Sequence, residues 1–365
     1  MTRYFKELDI TIQADVAIAR HCAGQMAREL DFPAQRHAEV RLIASELAQN
    51  HLDHRTTRGK IQLSGLFLGT LPCLTIVSQD HGPGIDDIDS LLFQEPCRQL
   101  STTGLGAGLA SARRLADSFS ICSATIASPV NSSVTGEPVV GTRIVARCWP
   151  KRRKPDFLTG SQTDVCGLVA PRSETLPCGD DIFITGDSRF LRIVMVDSPG
   201  LGKGGELTRV IGEHLGKIDL VWPPEQILES LETNIADGVA LHVVLFDRLR
   251  QRLCFAGIGN ISVYFFVDGE CLQPTVQAML IGYKWPRFTS TEYAVDSSCT
   301  CLLHTDGVAP FSGKQLKRLF RDFESRQTMM PLEGGLDISF FLQLAFSRKW
   351  RRLDDAALCM GRWQI

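Results

Sequence analysis

No stretch of this sequence stays apolar for the roughly 20 residues that a membrane-spanning helix needs. Its conspicuous apolar runs, Arg192–Val196 and Leu241–Phe246, have the length of single strands. The opening Met1-Thr2-Arg3-Tyr4-Phe5-Lys6-Glu7 lacks the apolar core of a signal peptide. Neither sign of charge dominates: the formal net charge is -2, too small for a bulk field toward nucleic acid or an anionic membrane. Cysteine pairs at CxxC spacing are missing as well. The twelve cysteines are scattered, and Cys122, Cys254 and Cys359 sit inside apolar runs, where a thiol behaves as a small hydrophobe. These absences predict a cytoplasmic chain of reduced thiols, with no membrane span and no nucleic-acid partner.

What is present fits two domains. A length of 365 residues exceeds the common single-domain size. The seam falls where a strand-like run ending at Trp149 gives way to Pro150-Lys151-Arg152-Arg153-Lys154-Pro155. Two prolines bracketing four cations read as an extended connector, which divides the chain into 1–149, a linker at 150–163, and 164–365.

In the first part, Leu8–Ile12 alternates like a strand, and Asp15 is placed to cap a helix running to about Leu30. A second helix spans about Ala34–Asp53, with Val40, Ile43, Leu47 and His51 at helical spacing. The segments 60–67 and 74–78 read as paired strands, and a third helix covers about Ala110–Ser118. Helices alternating with a mostly antiparallel sheet predict an α/β sandwich. The second part is strand-rich, with helices near Leu207–Leu215 and Pro224–Ile235.

Three motifs of the first part carry chemistry. In Ser45-Glu46-Leu47-Ala48-Gln49-Asn50-His51, the carboxylate of Glu46 and the amide of Asn50 project from one helix face. A carboxylate there can take a proton, and an amide oxygen can ligate Mg²⁺. In Asp80-His81-Gly82-Pro83-Gly84-Ile85, an Asp at a strand end can accept a hydrogen bond from an exocyclic amine, and the glycines permit close backbone approach. In Thr102-Thr103-Gly104-Leu105-Gly106-Ala107-Gly108-Leu109, a glycine-rich loop enters a helix N-terminus, a phosphate-binding geometry. His21 reads as a helix-surface or core residue, and His51 and His54 flank the nucleotide motif without the Cys or spaced carboxylate partners of a metal site.

In this order the motifs resemble the GHKL ATP-binding fold, and Ser45–Asn50 resembles the small serine/threonine switch kinases of bacterial partner-switching pathways, the RsbT type. The resemblance spans about residues 8–148. It implies Glu46 as general base and Asn50 as Mg²⁺ ligand. It further implies Asp80 as reader of the adenine amine, with Gly82 and Gly84 shaping that pocket. Gly104, Gly106 and Gly108 would form a lid over the phosphates, and Thr142 in Gly141-Thr142-Arg143-Ile144 would sit near the adenine. Implied ligands are ATP and Mg²⁺, and implied partners are STAS-domain proteins.

In the second part, acidic residues recur at strand ends, at Asp180, Asp197, Asp306 and Asp354. Carboxylates converging from several strands can hold two hard divalent ions. Cys178-Gly179-Asp180-Asp181, Phe255-Ala256-Gly257-Ile258-Gly259-Asn260, His304-Thr305-Asp306-Gly307 and Asp354-Asp355-Ala356-Ala357 resemble the SpoIIE/RsbX branch of the Mg²⁺/Mn²⁺-dependent protein phosphatases, over about 164–361. That resemblance implies an αββα sandwich, Mn²⁺ or Mg²⁺, and Asp180, Asp306 and Asp354 as ligands. Gly257, Gly259 and Asn260 read as turn-shaping. One loop departs from the family pattern. Aligning the glycines of Asp197-Ser198-Pro199-Gly200-Leu201-Gly202 puts Pro199 at a ligand position, whereas aligning the strand makes Asp197 the ligand. The α+β chain is thus expected to be a bifunctional kinase and phosphatase. The alternative is a nucleotide-dependent partner-binding switch with a degenerate phosphatase scaffold.

Overall fold

The computed structural model describes residues 5–54, 56, 58–85, 107–124, 130–131, 138–139, 141–152, 158, 163–172, 178–199, 204–284, 287–329 and 354–364. The first half opens with β1 (Phe5–Asp9), α1 (Gln13–Glu29) and α2 (Ala34–Asp53). The hairpin β2 (Lys60–Leu68) and β3 (Leu71–Gln79) follows, then α3 (Ala107–Leu115) and β4 (Ser118–Ala124). A short pair, β5 (Val130–Asn131) and β6 (Pro138–Val139), precedes β7 (Gly141–Cys148).

The first strand ends three residues earlier than the alternation of Leu8–Ile12 predicts. The cause is Asp15, which lies inside α1 rather than at its cap. Its carboxylate reaches back to accept from the Thr11 and Ile12 amides at 2.8 and 2.9 Å, drawing both residues into the helix entry. Pro33, with extended backbone, starts α2, where a missing N–H costs nothing.

Strand period decides which residues meet the helices. Ile61, Leu63, Leu74, Ile76, Ile144 and Ala146 share one core with Val40, Ile43 and Leu47 of α2. The opposite face of the same sheet carries Gln62, Ser64, Thr75, Arg143 and Arg147, and these are buried too. What covers them is the second half of the chain.

That half contains β8 (Asp164–Ala170), β9 (Asp180–Gly186), β10 (Phe190–Asp197), α4 (Gly204–Leu215) and α5 (Pro224–Glu232). It continues with β11 (Ala240–Asp247), β12 (Arg252–Ile258), β13 (Ser262–Val267), β14 (Glu270–Leu272), β15 (Thr291–Ala294) and β16 (Ser298–His304). The last elements are α6 (Gly313–Met329) and β17 (Ala356–Gln364). One antiparallel sheet runs β15-β12-β11-β10-β9 and a second runs β14-β13-β16-β17-β8. Ile193, Met195, Val244 and Phe255 of the first pack on Phe265, Cys301, Cys359 and Trp363 of the second. Helices α4 and α5 close the outer face of the first sheet, and α6 closes that of the second. The result is an αββα sandwich beside an α/β sandwich, the α+β architecture expected.

The two halves are stitched together. Leu68 of β2 pairs in parallel with Ile184 of β9, and the Gly69 amide donates to Ile184 at 2.5 Å, which joins the sheets into one of ten strands. Arg147, 1% exposed, donates to the Asp164 carboxylate at 3.2 Å and to the Val165 carbonyl at 2.9 Å. The connector region is anchored as well. Trp149 and Leu158 are buried in the core of the second half, and Arg152 pairs with Glu39 at 2.8 Å.

Candidate nucleotide and metal sites

At the end of β3, Asp80 is held by the backbone around it. Its Oδ1 accepts from the Gly82 amide at 2.7 Å and the Thr142 amide at 3.2 Å, while its own amide donates to the Thr142 carbonyl at 2.9 Å. This closeness requires glycine at 141. Its φ is +120°, and a Cβ there would lie 2.3 Å from the Asp80 carbonyl oxygen. The Thr142 hydroxyl is bonded to that of Ser123 at 2.8 Å.

Asp80, Thr142, Gly84, Asn50, His51 and Ser78 line one cavity of about 280 Å³. His51, read from the sequence as flanking the nucleotide motif with no metal role, is part of that wall. It is 3% exposed, with Nδ1 bonded to Thr56 Oγ1 at 3.1 Å and Nε2 to Ser78 Oγ at 3.0 Å. Burial holds its pKa below the ordinary imidazole value, against the pull of the Asp80 carboxylate 4.0 Å away. Its position beside Asn50 was the available signal.

Glu46 lies one helical turn before Asn50 but opens elsewhere, into a groove of about 630 Å³ between α1 and α2 with Arg20, His21 and Arg41. Its carboxylate rests on α3: a Cβ at Gly108 would come within 2.3 Å of Glu46 Oε2. Of the three lid glycines, Gly108 is therefore seated against Glu46, and Gly104 and Gly106 lie outside the described residues.

At the metal end, Asp180 and Asp197 are direct cross-strand partners on β9 and β10. Such neighbours have Cβ atoms about 4.5–5.5 Å apart, where two negative charges repel. Strand β10 ends at Asp197; Ser198 still donates its amide at 3.2 Å and its hydroxyl at 2.7 Å to the Gly179 carbonyl, and Pro199 lies beyond the strand. From the facing sheet come Asp306, just after β16, and Asp354 and Asp355, just before β17. Burial, then Asp306, Asp354 and Asp355, push the Asp197 pKa up to about 7. Burial and Asp197 raise that of Asp180 well above the carboxylate range. Asp197 Oδ2 is buried with no hydrogen-bond partner among the described residues.

Three residues here escaped the sequence reading. Asn260, read as turn-shaping, donates its amide to Asp306 Oδ2 at 2.9 Å. Thr305 donates to Asp180 Oδ2 at 2.6 Å. Asp355 accepts from the Arg172 and Gly179 amides at 2.8 and 2.7 Å, pinning the turn that delivers Asp180. Among the described residues, no three His, Cys, Asp or Glu side chains stand in the arrangement of an assembled metal cluster. The donor set nonetheless fits a hard divalent ion: oxygen only, anionic, crowded, and with one buried oxygen unsatisfied.

No family model matches the chain. The serine/threonine-protein kinase RsbT of Bacillus subtilis (strain 168) is 33% identical over 141 residues, 38% of this chain and 92% of that protein. The chain belongs to the RsbT family. Nearly the whole of that relative is matched by little more than a third of this chain, so the family membership rests on an RsbT-type portion. Among solved structures, RsbX in complex with magnesium aligns with 55% of this chain and 96% of its own at 16% identity and a TM-score of 0.44. The serine/threonine phosphatase of S. agalactiae aligns with 56% of this chain and 100% of its own, at 13% identity and a TM-score of 0.43. These likenesses are weak. The sandwich and its four strand-end carboxylates stand on their own geometry.

Proposed function

We propose that the RsbT-type half is an ATP-dependent serine/threonine protein kinase acting on a STAS-domain partner, and that the second half is an Mg²⁺- or Mn²⁺-dependent phosphoserine/phosphothreonine phosphatase. The observation that carries the first part is Asn50, which faces the Asp80 cavity while Glu46 stands one turn away on the same helix. Asp80 Oδ1 is committed to backbone donors, which leaves Oδ2 to accept from the adenine amine. Thr142 and Gly84 wall the base, and Asn50 offers its amide oxygen to Mg²⁺, which neutralises phosphate charge when bound. Glu46 then accepts the proton of the acceptor hydroxyl from the α1–α2 side.

In the second half, Asp180, Asp197, Asp306 and Asp354 would hold the divalent ions, whose role is to supply an activated water. The other residues orient these carboxylates: Asn260 fixes Asp306, and Asp355 fixes the Gly179–Asp180 turn. A partner-switching regulator of this kind would work in the cytoplasm, and among the described residues no helix is long and apolar enough to cross a membrane.

A second reading has its own support. Pro199 breaks the loop pattern, and the carboxylates are not assembled into a ligating cluster among the described residues. On that reading the second half is a scaffold and the first a nucleotide-dependent partner switch. Incubating the full-length chain with a STAS protein and labelled ATP, then adding Mn²⁺, separates the two. Label transfer followed by Mn²⁺-dependent release is expected. Transfer without release would leave the scaffold reading standing.

A further inference from the structure

Thr305 is fully buried where β16 ends and β17 begins. Its amide donates to the Ala357 carbonyl at 3.0 Å, and the Ala357 amide donates back to Thr305 Oγ1 at 2.8 Å. The same Oγ1 lies 2.6 Å from Asp180 Oδ2. A backbone N–H can only donate, so toward Ala357 the hydroxyl is the acceptor. Its one proton is left for Asp180. The competing acceptor, the Ala357 carbonyl, is 3.5 Å away and already receives the Thr305 amide.

With Asp180 ionised, as a carboxylate that holds a cation must be, the direction of this bond is set: the hydroxyl accepts from Ala357 and donates to Oδ2. A hydroxyl so committed fixes Asp180 Oδ2 as an acceptor and leaves Oδ1 for another partner. Charge-assisted O–H···O⁻ bonds of this length are strong and directional. The cross-strand partner Asp197 disfavours charge on Asp180, and a hydrogen bond from a fixed hydroxyl offsets that repulsion. The bond also ties the start of β9 in one sheet to the end of β16 and the start of β17 in the other, the strand ends beside which Asp306 and Asp354 stand.

We propose that Thr305 is a positioning residue of the metal site: its hydroxyl holds Asp180 in the one orientation that presents Oδ1 to a divalent cation. This rests on the reading of Asp180 as a ligand. Partners that orient a first ligand typically change metal affinity by about 10–100-fold when removed.

The test is Mn²⁺ titration of the full-length chain by calorimetry, with metal-free thermal melts recorded on each variant. Thr305→Val keeps the shape and removes the hydroxyl; it should weaken Mn²⁺ binding at least about 10-fold. Thr305→Ser restores the hydroxyl and should stay within about 3-fold of the parent, a rescue that a packing role would not give. If Thr305→Val does not fold, Thr305→Ala against Thr305→Ser makes the same comparison. Parent-like affinity in Thr305→Val, or equal loss in Ser and Val, overturns the inference. Asp180→Asn separates its failure from that of the underlying reading. If Asp180→Asn abolishes binding while Thr305→Val does not, only the role of Thr305 falls. If Asp180→Asn binds Mn²⁺ like the parent, or the parent binds none, the metal reading falls and the inference with it.

Discussion

The two ends of this molecule treat buried polar groups in opposite ways. At the nucleotide end, Asp80 has two backbone amides on one oxygen, and both nitrogens of His51 are hydrogen-bonded. At the metal end, Asp197 keeps a buried oxygen without a partner among the described residues; elsewhere in the same half, fully buried His242 on β11 has neither nitrogen satisfied among the described residues. A site complete in its own hydrogen bonds is shaped before its ligand arrives. A site with crowded carboxylates and an orphan oxygen is shaped for a charge that the chain does not supply. The first arrangement suits selective recognition of a base, the second the capture of a cation.

The largest expected effect tests whether the nucleotide end does chemistry or only binds. Glu46 opens into the α1–α2 groove and not into the base cavity. Glu46→Ala in the full-length chain should therefore keep nucleotide affinity and lower phosphotransfer by about 10²–10⁴-fold. Unchanged single-turnover transfer to the partner would remove Glu46 from the mechanism.

Asp80→Asn tests the claim that this end is preorganised. The amide oxygen can keep the bonds from Gly82 and Thr142, which places the NH₂ group where Oδ2 stands. Two donors then face each other across the adenine amine. ATP affinity should fall by roughly 1.5–3 kcal/mol, while the metal-free melting temperature changes little. Equal losses of affinity and stability would mean that Asp80 mainly supports the fold.

Much of this contrast was legible in the sequence, because strand ends and helical spacing are local. An Asp pair before one apolar run and an Asp ending another place Asp180 and Asp197 at strand termini, and Glu46 and Asn50 share a helix. The rest depended on which residues meet across the fold. Thr305 reads as one more strand residue until the register pairs its neighbour His304 with Leu358 and brings Oγ1 to Asp180. Gln62, Ser64, Thr75 and Arg147 alternate with apolar residues, the pattern of a sheet face open to water. They are buried because a second sandwich covers that face, which no local pattern encodes.

That covered face gives the next prediction. Asp164 is the carboxylate partner of Arg147 across the two halves and keeps 31% of its side chain exposed. Asp164→Ala removes the carboxylate from a buried guanidinium that still donates to the Val165 carbonyl. The cost should be about 2 kcal/mol, below the roughly 3–5 kcal/mol for a fully buried pair because the carboxylate is partly solvated. Chemical denaturation should still show one transition if the two halves unfold together. Two separated transitions in the parent chain would show that the stitching is weak and that the ends are independent.

The smallest effect sharpens the contrast between the histidines. Burial holds the His242 pKa down to about 3, with no charged or hydrogen-bonding group offsetting it. Phe255 packs edge-on at 5.2 Å, and a Cβ on Gly257 would touch the ring, so the imidazole is enclosed by apolar neighbours. In the unfolded chain the same ring titrates near 6.5. As pH falls, an imidazole whose folded pKa is depressed takes up its proton in the unfolded state first. Stability is therefore full above about pH 6.5 and falls as pH drops toward 3. His242→Leu removes both the orphaned nitrogens and this acid sensitivity. Between pH 7 and pH 5 the parent should lose more stability than the variant, and at pH 7 the variant should be at least as stable. Denaturant midpoints at the two pH values measure the difference. Parallel losses in parent and variant would mean that the imidazole is not held neutral by burial, and that the contrast between the two histidines does not stand.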